Sequence, residues 1–112
     1  MKKTEAIKLN KDFKKLYYRG KSSVKSNVVV YISKNRMNSN RLGITCGKSI
    51  GKAVRRNRVK RLLKEGYRLL EDRLLSGYDI VLVARTRCIA SKQKHVLMDL
   101  ESAFISLGIL EK

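Results

Sequence analysis

The chain has 112 residues, 43% of them hydrophobic, and its Lys and Arg outnumber Asp and Glu by 27 to 9, a formal charge of +18. That length suits one domain with one core, spanning residues 1–112, and a large cationic surplus on an adequate core points to nucleic acid or an anionic membrane as partner. No apolar run nears the roughly 18 residues of a spanning helix, and the N-terminus, MKKTEAIKLNKDFKK, lacks the apolar stretch of a signal peptide, so a membrane partner is excluded and a cytoplasmic protein is expected.

Asn10 is suited to cap a first helix over Lys11–Arg19, with Phe13, Leu16 and Tyr17 on one face and Gly20 ending it. Residues 21–26, KSSVKS, read as loop or a brief edge strand. The β-branched run NVVVYISK, Asn27–Lys34, predicts a strand with Val28, Val30 and Ile32 on its buried face and Val29 and Tyr31 on a half-exposed one. After the polar loop NRMNSN comes a second strand over Arg41–Gly47, with Leu42, Ile44 and Cys46 inward and Gly43 and Thr45 outward, and the two are expected to pair as a hairpin.

A long helix is predicted from Gly51 to Leu75, held by a stripe of Val59, Leu62, Leu63, Gly66, Leu69 and Leu70. Ser76-Gly77 breaks it, and YDIVLVA, Tyr78–Ala84, is apolar enough for a strand buried on both faces. Ser91 is placed to cap a last helix that turns Val96, Leu97, Leu100, Ala103, Phe104 and Leu107 inward. The class is α+β, with helices against a small sheet.

The start of the long helix carries the strongest functional signal. Between Lys52 and Arg61 there are six cations and no acid, and four of the six are Arg, whose planar fork suits phosphate where solubility alone needs only Lys. Arg56, Lys60 and Lys64 descend one edge at intervals of four, with Asn57, Arg61 and Arg68 beside them and away from the apolar stripe. Such a ribbon repels itself unless a polyanion lies along it.

Other chemistries find less support. GITCGKS, Gly43–Ser49, approaches a P-loop but has three residues where four must wrap the phosphates, and Asp79 stands at the start of its strand rather than the end where a metal-binding acid is expected. Gly43 and Gly47 are read instead as glycines that admit a neighbouring backbone. Nine acids and the single His95 form no acid/base pair, and Cys46 and Cys88 read as two buried free thiols, too few with one His for zinc. A second surface is suggested by Phe13 and Tyr17, one turn apart, and Tyr31 on the less apolar strand face between Asn27 and Ser33. Together they can line a groove on which single-stranded bases stack.

From LNKDFKKLYYRG through NVVVYIS, RLGITCGKSIGKAVRRNRVKRLLKE and YDIVLVAR, with the block KAV-x-RN-x-x-KR at Lys52–Arg61, the chain resembles the bacterial ribonuclease P protein component family. A ribosomal protein or general RNA chaperone would share the charge but not that block. The resemblance implies an α-β-β-β-α-β-α two-layer sandwich with a left-handed βαβ crossover, a departure from the usual hand, like the second domain of ribosomal protein S5. It also implies a noncatalytic protein partner of ribonuclease P RNA, monomeric within the particle. The RNA subunit, with Mg²⁺ that it mainly holds itself, removes the 5′ leader of precursor tRNA. Carried onto this sequence, the family pattern implies an RNA-facing surface of Lys48, Lys52, Arg55, Arg56, Asn57, Arg58, Lys60 and Arg61, continued by Lys64 and Arg68, and a leader cleft lined by Phe13, Tyr17 and Tyr31. Ser49 stands where relatives commonly carry a basic residue, and the end, Glu111-Lys112, lacks the basic tail of some relatives.

Overall fold

The structure is a computed structural model that describes residues 4–8 and 10–110; the Glu111-Lys112 end lies outside them. In chain order the elements are β1 (Thr4–Ala6), α1 (Asn10–Arg19), β2 (Lys21–Val24), β3 (Val28–Lys34), β4 (Asn40–Thr45), α2 (Ala53–Leu70), β5 (Tyr78–Ala84) and α3 (Gln93–Ser106). The five strands form one sheet in the order β1-β4-β5-β3-β2. β4 runs parallel to both β1 and β5, while β3 is antiparallel to β5 and β2. Two adjacent parallel strands, β4 and β5, are therefore joined through α2 as a βαβ unit.

The expected hairpin between β3 and β4 does not form, because β5 lies between them and pairs with both. Its run from Asp79 to Leu82 is buried throughout, and the centre of the sheet is where a strand apolar on both faces loses most contact with water. The hairpin is made one strand earlier, β2 with β3.

One sheet face presents Val28, Val30, Ile32, Leu42, Ile80 and Leu82 to α2 and α3, which answer with Val59, Leu63, Tyr67, Leu70, Val96, Leu100, Ala103 and Phe104. This sheet and its pair of helices make the main two-layer body. Gly66 lets the helices close: a Cβ there would stand 2.7 Å from Leu100 Cδ1. Among the described residues the other face is covered by α1 and Ile7, with buried Leu16 packing on Ile7 and Val81.

Several local expectations shift. α2 begins at Ala53 and ends at Leu70, shorter than the predicted 51–75, because the chain turns at Gly51 and tightens into a 3-10 turn at Glu71–Arg73. Leu69 is 48% exposed and Tyr67 is buried in its place; the Tyr67 hydroxyl meets the Thr4 hydroxyl of β1 at 2.7 Å, which satisfies its polar end. Ser91 does not cap α3. Its hydroxyl bonds the side-chain oxygen of Asn27 and lies 3.1 Å from the Arg87 carbonyl, leaving the cap position to Lys92 without a side-chain bond. Both cysteines are free, but only Cys88 is fully buried, and Cys46 lies past the end of β4. Burial pushes the Cys88 thiol up to about 11, so it stays protonated near neutral pH. Among the described residues no helix is long and apolar enough to cross a membrane.

Candidate nucleic-acid interface

The face under α1 is built from rows that run across the strands. The middle row is Tyr31, Val81 and Gly43, and the next toward the C-terminal end of β4 is Val29, Val83 and Thr45. Phe13 lies directly on Gly43: a Cβ there would stand 2.5 and 2.6 Å from two ring atoms. The glycine admits an aromatic ring, and not the backbone expected from the sequence. Tyr17, one turn on, meets Tyr31 edge to face, with ring centroids 5.0 Å apart and planes at 78°, a favoured aromatic geometry.

The helix thus forms one wall of a groove whose open floor is Val29, Val83 and Thr45, all half-buried. The three predicted aromatic residues come together here. The floor residues escaped the sequence reading because their surroundings depend on β5 entering between β3 and β4. The one signal in the sequence was Val29, an apolar residue on the half-exposed face of its strand beside Tyr31. Asn27 leaves this face: its backbone N–H and side-chain amide donate to Asp99 of α3 at 2.9 and 2.8 Å. Tyr31 therefore keeps only Ser33 as a polar neighbour along its strand.

The basic ribbon starts where that floor ends. The Cys46 thiol, just past β4, donates to the Arg56 carbonyl at 4.0 Å. Burial pushes this thiol up, while the Lys60 and Arg56 charges pull the other way, so both cations stand near the end of β4. Among the described residues β1 pairs with residues 40–42 of β4, and Thr45 lies beyond that ladder toward Cys46 and the ribbon. Lys48, Lys52, Arg55, Asn57, Lys60, Arg61 and Lys64 are exposed, and Arg56 is half-buried.

Two members of the predicted set are engaged within the protein. Arg58 points toward the α3 side, donating to the Ile89 and Ser91 carbonyls at 2.6 and 3.1 Å. Arg68 forms a fork with Glu65 at 3.0 and 2.6 Å, so that end of the ribbon is partly neutralised. Among the described residues no group of three His, Cys, Asp or Glu side chains converges.

Comparison with known proteins agrees with this geometry. The family model described as Ribonuclease P matches residues 1–108. The Ribonuclease P protein component of Clostridium botulinum (strain Langeland) is 48% identical over 106 residues, covering 94% of this chain and 92% of its own; that of Alkaliphilus oremlandii is 42% identical over 107, covering 96% and 90%. Among solved structures, the RNase P protein of Staphylococcus aureus aligns with a TM-score of 0.85 at 30% identity, covering 95% of this chain and 97% of its own. The Thermotoga maritima protein aligns at 0.77 and 33%, covering 86% and 91%. With a family model matched over residues 1–108 and relatives up to 48% identical over most of its length, this chain belongs to the ribonuclease P protein family.

Proposed function

We propose that this chain binds ribonuclease P RNA through the exposed ribbon of α2 and holds the single-stranded 5′ leader of precursor tRNA in the groove under α1. It thereby assists endonucleolytic removal of the leader, with catalysis and Mg²⁺ belonging to the RNA subunit and the cytoplasm as the site of action. The observation that carries this reading is a juxtaposition. Phe13 on Gly43 and the Tyr17/Tyr31 pair line the sheet beside the end of β4, where Arg56 and Lys60 of the ribbon stand.

Each part matches a different RNA chemistry. Exposed Arg and Lys on a helix neutralise backbone phosphates, while half-exposed rings accept bases that have left a stack. The groove has a backbone-hugging Phe13 at one end and the Tyr17/Tyr31 pair at the other, which gives a flat floor suited to unpaired bases.

The test is reconstitution with a bacterial ribonuclease P RNA at low Mg²⁺. Leader removal should be stimulated by the chain. Tyr31→Ala should weaken binding of precursor tRNA to the particle by about 1–3 kcal/mol, roughly five- to 150-fold, for one lost stacking platform. Mature tRNA, which has no leader, should bind nearly as before. Equal losses for both would refute the groove assignment, and absence of stimulation would refute the role in the particle.

A further inference from the structure

The sheet face that floors the groove continues beyond α1. On the far side of the helix the next row is Ser33, Asp79 and Arg41, and there a pocket of about 440 Å³ opens between α1 and the ends of β3 and β4. Arg41 forms its floor, donating to Asp79 at 2.7 and 2.5 Å and reaching Asp12 at 3.4 Å. Both carboxylates of the pocket are thereby engaged. Lys15, Arg19, Lys34 and Arg36 remain on the rim, exposed and outside every ion pair found among the described residues.

Four like charges around one concavity repel each other, and an anion seated between them removes that repulsion. The ridge separating pocket from groove is also equipped for nucleic acid. Tyr18, 88% exposed, stands one turn from exposed Lys14 on the outer surface of α1, an aromatic face beside a cation. The α2 ribbon, in contrast, belongs to a helix packed on the opposite face of the sheet.

We propose that the pocket is a second phosphate site for single-stranded RNA. A strand seated in the groove crosses α1 over Tyr18 and sets its backbone on Lys15, Arg19, Lys34 and Arg36. This rests on the groove holding the leader. Because the groove's other end adjoins the ribbon, which holds the catalytic RNA, the pocket takes the part of the leader farthest from the cleavage site.

The test uses precursor tRNAs with a graded series of leader lengths, bound to the reconstituted particle over a range of salt. Wild-type affinity should rise in two steps, as the leader first fills the groove and later reaches the pocket. The Arg19→Ala/Lys34→Ala pair should keep the first step and lose the second. Its salt slope with the longest leader should fall by about 1.4, for two single-strand phosphate contacts. The Arg19→Lys/Lys34→Arg pair should restore both, which separates charge from packing. A loss of equal size at every length, leaderless tRNA included, would assign the pocket to another partner and overturn the proposal, as would no loss at any length. Tyr31→Ala removes the first step, so failure of the groove reading shows in that variant alone.

Discussion

At Asp79 a carboxylate opens the central strand and holds Arg41 with two hydrogen bonds. Burial pushes this carboxyl up, but hydrogen bonds from Arg41 and Asn35 outweigh it and hold the group below its ordinary value. A carboxyl depressed in the folded state binds fewer protons there than in the unfolded chain, so its stabilisation is complete above the unfolded value of about 3.9 and is lost as pH falls through the lower native value. Urea midpoints should therefore drop below about pH 4, and Asp79→Asn should be less stable at neutral pH but show a shallower acid decline; an unchanged acid slope in the variant would contradict this. The residue was visible in the sequence only as a poor candidate for a metal acid, since nothing local announces that Arg41, on another strand, will face it. Gly43 was similarly half legible. Its need for space could be read from a glycine in a strand, but the ring of Phe13 that fills the space arrives from a separate helix.

The basic helix divides into two sides with different work. Arg58 reaches two carbonyls before α3, whereas Lys60 is exposed and lies toward the end of β4. Lys60→Ala should leave thermal unfolding nearly unchanged and lower the salt slope of RNA binding by about one. Arg58→Ala should cost about 1 kcal/mol of folding stability, below the range for buried charge-assisted bonds because the site is solvent-exposed. Paired melts and salt titrations check this; a reversal of the two effects would exchange their roles. What the sequence made legible at this scale was whatever repeats locally: the β3 alternation, the apolar run of β5 and the basic ribbon. Pairing partners were not legible. β1, three residues of Thr-Glu-Ala, has no periodicity and exists through its ladder with β4. Tyr67 is buried because Thr4 arrives to meet its hydroxyl, a contact 63 residues distant in sequence, while Leu69, two residues on and nearly opposite on the helix, takes the exposed side.

Across the whole molecule, a charge of +18 on 112 residues opposes compaction, and the fold holds against that repulsion. Raising monovalent salt from about 10 mM to about 150 mM shortens the screening length from roughly 30 to 8 Å. The melting temperature should rise over that range and rise further with inorganic polyphosphate, which binds the folded surface; a flat or falling response would show that the cations are already compensated internally. The sheet order adds a consequence in time. β3 and β4 each find their main partner in β5, residues 78–84, so neither can complete its ladder while a growing chain is still short of that point. During synthesis the cationic helix precedes the strand that will anchor its neighbours. The nascent chain therefore offers its attraction for polyanions before it has a folded groove to discriminate among them, and selectivity follows only when the central strand emerges.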